Sequence, residues 1–191
     1  MTRPTYRLLA LSLTCLALGA AGCGDSEDGT TPGTDTSATS PLATELLAAH
    51  NQARANAKPT PQPALPPLTW STDAAKVAEK WAAECRFEHN KDRGNYGENI
   101  AAAAPAGSRT NTQVVQDWVS EGANYTYADN SCASGKVCGH YTQVVWRNTT
   151  QVGCATVTCT KNSPFGAQYP QWQLWVCDYA PPGNYVGQKP Y

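Results

Sequence analysis

An α+β fold follows from three observations on this 191-residue chain. Apolar residues recur at helical spacing from Leu42 to about Cys85 and again near Val114–Val119. Runs rich in β-branched and aromatic residues fill the segment after residue 140. Six cysteines are spread between Cys85 and Cys177. Helical periodicity followed by antiparallel strand patterns is the order of an α+β domain.

The chain opens with a segment outside that domain. Arg3 and Arg7 precede an apolar stretch, Leu8 to Ala21, that is short for a membrane span of about 20 residues. A charged start, an apolar middle and small residues at the end make a secretory signal over residues 1–22. The ending "AAGC" (residues 20–23) resembles the bacterial lipobox, with Ala20 where that motif favours Leu or Val. On that reading Cys23 is lipidated and becomes the new N-terminus, and the protein is anchored to the membrane. The alternative is an ordinary signal peptide cut near Ala21, with Cys23 a spare thiol. Residues 24–41, "GDSEDGTTPGTDTSATSP", hold no large apolar side chain and read as a flexible tether from Cys23 to the domain.

Within residues 42–191, Leu42, Leu46, Leu47, His50, Ala53 and Arg54 share a helical stripe, which predicts a helix over 42–56. "KPTPQPALPPLTW" ends it, because proline removes the donor and blocks the helical ladder. Ser71 or Thr72 can cap a second helix that carries Ala74, Ala75, Ala78, Trp81, Ala82 and Cys85. A third spans about 111–123, with Val114, Val115, Trp118 and Val119 on one face and Gly122 to stop it. Residues 143–147, 152–160 and 171–179 read as strands, the last two joined through the hairpin loop "SPFG".

Charge is nearly balanced. Of 14 basic and 15 acidic residues, two and four precede residue 42, which leaves 12 and 11 in the domain. Without a basic cluster, a nucleic-acid partner is not expected. Of eight cysteines, Cys15 lies in the signal and Cys23 at the lipobox. The other six, Cys85, Cys132, Cys138, Cys154, Cys159 and Cys177, imply three disulfides in an exported chain, with 15 connectivities open. A zinc ribbon is disfavoured, because no two cysteines have its two-residue separation.

The strings "CGHYTQVVWRNTTQVGCA" and "VCDYAPPGNYVGQKPY" resemble the two signature regions of the CAP superfamily. That superfamily holds the cysteine-rich secretory proteins, antigen 5 allergens and plant pathogenesis-related proteins. "LLAAHNQARA", "CRFEHN", "YGENIA" and "DWVSEGANY" match in the family's order, and the plant branch shares all six cysteine positions. The resemblance implies a three-layer α-β-α sandwich with a central antiparallel sheet over residues 42–191. It also implies the pairs Cys85–Cys159, Cys132–Cys138 and Cys154–Cys177. It further implies a cleft of His89, Glu98, Glu121 and His140, in which the two imidazoles hold a divalent ion, zinc first, with the glutamates beside them. The chemistry is sound, since neutral imidazoles bind zinc and nearby carboxylates orient them.

Each residue also has a plainer role open to it. A histidine at a strand edge can serve as a hydrogen-bonded structural residue, Glu98 can cap a turn and Glu121 can be a solvated charge. His50, on the apolar stripe with Arg54, reads as structural. Asn90 stands where many relatives carry serine after the first cleft histidine, and an amide cannot act as that nucleophile. The loop "YTYADNSCASGKVC" (residues 125–138) sits where relatives hold sterols and related lipids. Tyr125 and Tyr127 there could stack on a flat apolar ligand, or the loop could be a rigid surface feature. Three functions are therefore expected to compete: a binder of a small sterol-like, hopanoid or acyl lipid, a metal-dependent hydrolase using the four cleft residues, and a surface interaction or defence module.

Overall fold

A computed structural model describes residues 35–191. The expected signal, the expected anchor residue Cys23 and the expected tether up to residue 34 lie outside the described residues. Helix α1 (Pro41–Ala55) starts at Ser40, whose side chain accepts from the Ala43 amide, with proline in its first turn. Just before it, the Thr36 carbonyl accepts from the Trp70 indole, so the end of the expected tether lies against the domain.

Strand β1 (Thr69–Trp70) leads into helix α2 (Thr72–Ala82), capped by Ser71 as its sequence predicts. Strand β2 (Gly97–Ala103), which the pattern did not reveal, precedes helix α3 (Asn111–Ser120) and a 3₁₀ turn over Glu121–Asn124. A capping box of Thr110 and Gln113 fixes the start of α3. Two short strands, β3 (Tyr125–Thr126) and β4 (Ser131–Cys132), pair inside the tyrosine loop. Helix α4 (Gly139–Val144) and the long strands β5 (Gln151–Cys159) and β6 (Trp172–Ala180) complete the chain.

The sheet order is β1-β5-β6-β2. β5, β6 and β2 are antiparallel, as expected, and β1 adds a two-residue parallel edge, so the sheet is mixed. Because side chains alternate across a strand, β6 feeds two cores. Trp175, Cys177 and Tyr179 pack with Leu46 of α1 and Trp118 of α3. Trp172, Leu174 and Val176 pack with Ala78 and Ala82 of α2. This is the α-β-α sandwich, and the three expected disulfides are all formed. Alanines line α2 because the helix sits almost on the strand backbone. A Cβ on Gly153 of β5 would come within 2.2 Å of the Ala75 amide nitrogen.

One element differs in kind from its sequence pattern. Residues 143–147 are not a strand, because α4 runs through Val144 and a turn follows. Tyr141, Val144 and Val145 sit at the i, i+3 and i+4 positions of a helical face and are buried against Ala57 and Leu65. The Glu121 carboxylate accepts from the His140 and Tyr141 amides at the helix start. Packing and a negatively charged cap outweigh the β propensity of the two valines.

Candidate functional site

The four residues assigned to the cleft form two histidine–glutamate pairs. At the start of β2, the Glu98 side chain is fully buried, and its Oε1 lies 2.6 Å from His89 Nδ1. The same carboxylate accepts from the Asn90 amide at 3.0 Å, which fixes the loop that carries His89. At the start of α4, Glu121 Oε1 lies 2.6 Å from His140 Nδ1, and Oε2 caps the helix. His140 is also stacked on Trp118 of α3, with ring centroids 6.0 Å apart. His140 is a quarter exposed and His89 about half exposed. Asn99, next to Glu98 in β2, donates to the His140 carbonyl and so ties the strand of one pair to the helix of the other.

In both pairs Nδ1 is taken by a carboxylate, and Nε2 has no hydrogen-bond partner among the described residues. A carboxylate on one ring nitrogen is the usual partner of a histidine that ligates metal through the other. Each pair therefore leaves one imidazole nitrogen able to ligate a metal. Among the described residues, no group of three or more His, Cys, Asp or Glu side chains is placed to hold a metal ion. Asn90 does structural work: it is buried, and its side-chain oxygen accepts from the Asp92 amide.

His50 is structural, as its position on the stripe predicts. It is fully buried between the Leu46 carbonyl and the Tyr179 hydroxyl, and burial holds its pKa down at about 4. Arg54 donates to the carbonyls of Pro66, Val144, Trp146 and Thr149, which pins α4 and its turn to α1.

Three features escaped sequence reasoning. Asp178 of β6 is fully buried opposite Glu98 in register, and neither of its oxygens has a hydrogen-bond partner. Burial, reinforced by the Glu98 charge, pushes its pKa up to about 8. Trp118, seen only as core, is the stacking platform for His140. Finally, a groove of about 350 Å³ lies between α1 and α3, walled by Ala49, Ala53, Ala57, Val115 and Val119 with Tyr141 at its end. Small residues on α1 were the signal for it.

The loop tyrosines are placed differently from each other. Tyr127 stacks on Tyr191 at 4.8 Å, and its hydroxyl donates to the Tyr191 carbonyl, so the C-terminus occupies it. Tyr125 donates to Asn130 and faces a second groove of about 320 Å³ shared with Trp146 and Tyr185.

A disulfide-stapled α-β-α sandwich bearing two histidine–glutamate pairs defines the class of fold. The model of the cysteine-rich secretory protein family, CAP, matches residues 47–179. The chain belongs to the CAP family. It is 46% identical over 129 residues to pathogenesis-related protein PRMS of Zea mays, covering 65% of this chain and 71% of that protein. It is 40% identical over 151 residues to pathogenesis-related protein 1B of Nicotiana tabacum, covering 77% and 79%. The solved structure of venom allergen-like protein 4 of Schistosoma mansoni superposes with a TM-score of 0.61 at 27% identity, covering 80% of this chain and 94% of that one. Three disulfides mark the domain as one made for an oxidising compartment outside the cytosol.

Proposed function

We propose that this is an exported binding domain, anchored to the envelope through lipidated Cys23, that holds a divalent ion between His89 and His140. The observation that carries this reading is the paired geometry. Each Nδ1 lies 2.6 Å from its own carboxylate, which fixes each ring and leaves Nε2 as the donor atom. Glu98 and Glu121 orient the rings, while Trp118 stops His140 from turning. Zinc suits two imidazoles best, and when bound it would supply a Lewis-acidic charge. Two protein ligands make an open site, so the fold does not depend on it; the core and three disulfides hold the domain. A hydrolase built on the same four residues would need a nucleophile other than residue 90, whose amide cannot attack.

Titration calorimetry with zinc on the full chain tests this reading. His89→Ala and His140→Ala should each weaken binding by at least about tenfold, the loss expected on removing a metal-supporting group. A double variant that binds zinc with unchanged affinity and stoichiometry would overturn the site.

A second reading is favoured by the groove between α1 and α3. Its apolar floor of alanines and valines, rimmed by Gln52, Asn56, Lys58, Thr112 and Gln116, and its volume of about 350 Å³ suit one small, mostly apolar ligand with a polar end, a sterol-like, hopanoid or acyl lipid. Tyr125 and the second groove are the other place for such a ligand, as the resemblance implied. Mass spectrometry of the purified chain should find a stoichiometric lipid, lost when Ala53→Trp fills the first groove. A chain free of lipid, and deaf to added sterol or fatty acid, would end this reading.

A further inference from the structure

Five large hydrophobic side chains are exposed among the described residues, and three of them belong to two touching loops. Val186 is wholly exposed, Val137 59% and Tyr185 50%. Val137 lies in the loop closed by Cys132–Cys138, and the other two lie in the C-terminal segment. The loops are bound together. Asn184 donates to the Gly139 carbonyl, Asn130 to the Gln188 carbonyl and Lys189 to the Ala128 carbonyl. A disulfide and three cross-links hold these apolar side chains out at fixed positions, so little ordering entropy remains to be lost when they are buried. Two lysines flank them. Lys189 lies over the Tyr127 ring, and the Lys136 ammonium has no ion-pair or hydrogen-bond partner among the described residues.

We infer that this face, formed by residues 128–139 and 184–189, docks on a lipid bilayer with anionic headgroups. Aliphatic tips, a tyrosine and a net positive charge, Lys136 and Lys189 against Asp129, suit a membrane interface: the tips enter the acyl boundary while the Lys136 ammonium stays with the phosphates. Three side chains are too few for a stable protein–protein interface, which needs about 800 Å² per partner. The tether gives a third argument. From Cys23 to Thr36 a fully extended chain reaches at most about 45 Å, so a lipidated domain stays within that distance of a bilayer. This argument rests on the anchor proposed above; the other two do not.

The test separates face from anchor. Bimane is attached to the full exported chain at Val137→Cys or Val186→Cys, with Phe87→Cys and Tyr169→Cys as exposed controls on other segments. The chains are mixed with phosphatidylcholine vesicles containing about a quarter phosphatidylglycerol and a nitroxide on the acyl chain. Fluorescence at 137 and 186 should fall roughly twofold and at 87 and 169 barely change, as expected for tips buried about 5–10 Å into the interface. Lys136→Glu, which leaves the apolar tips in place, should cut the quenching at 186 by about half, and salt should do the same. Vesicle-bound chain with no quenching at 137 and 186, or with equal quenching at all four positions, would mean that the anchor alone holds it and would overturn the docking face. Chain that stays off the vesicles altogether would overturn both.

Discussion

Asp178 is a carboxylic acid sealed between β-strands with no hydrogen-bond donor, and its cost should be visible as a pH dependence of stability. Burial is the main cause of its pKa of about 8, the Glu98 charge adds to it, and Arg93 opposes it. Below the ordinary aspartate value of 3.8 the group is protonated in both folded and unfolded chains and contributes nothing. Between 3.8 and about 8 the unfolded chain gives up the proton while the folded one keeps it, so stability falls as pH rises. His50 acts in the opposite direction. Its folded pKa of about 4, against 6.5, means stability falls as pH drops through that interval. The two slopes oppose each other from about pH 4 to 6.5, and Asp178 acts without His50 from 6.5 to about 8. At about 1.36 kcal/mol per unit, those one and a half units amount to about 2 kcal/mol. Asp178→Asn has no proton to keep. Urea denaturation of the oxidised protein, followed by the fluorescence of buried Trp172 and Trp175, should show the variant gaining about 2 kcal/mol on wild type between pH 6.5 and 8. Two stability curves that run parallel across that window would refute a neutral, buried Asp178.

Two other substitutions probe the frame that positions the site. Arg54→Met should cost about 3 kcal/mol or more, because it strips the donors from three buried carbonyls in and after α4 and from the part-buried Pro66 carbonyl. A loss under about 1 kcal/mol in denaturant unfolding would show those carbonyls finding other partners. Gly153→Ala drives a Cβ into the backbone of α2, 2.2 Å from the Ala75 nitrogen and 2.3 Å from the Ser71 oxygen. Since neither atom can swing aside, about 1–3 kcal/mol should be lost, and thermal melts unchanged from wild type would contradict the close packing of α2 on β5.

Much of the frame was legible because it is local. The Ser71 cap, the stripes of α1, α2 and α3, and the β5–β6 hairpin each declare themselves within a few residues. Sequence alone left the disulfide connectivity open at 15 choices, and only family resemblance selected the one found. β2 was invisible because "GENIAAA" has little intrinsic strand preference; its conformation comes from seven-residue pairing with β6. Residues 143–147 misled for the converse reason. Val144, Val145 and Trp146 favour strands, yet Glu121, nineteen residues before His140, caps a helix that takes in Val144 and leaves the other two in the turn behind it. The same kind of distant contact explains the site. His89–Glu98 and His140–Glu121 could be named from the family's motifs, but Trp118 under His140 and Asp178 behind Glu98 are products of packing and strand register that no local pattern encodes.

The most direct test of the central claim is where zinc sits. Crystals of the protein soaked in zinc, measured at the zinc absorption edge, should give one strong anomalous peak bonded to both His89 Nε2 and His140 Nε2 at about 2.0–2.1 Å. Glu98 and Glu121 should still be on the Nδ1 atoms, and water should fill the remaining positions. A peak bound to one histidine alone, or peaks only at surface carboxylates, would contradict a shared site.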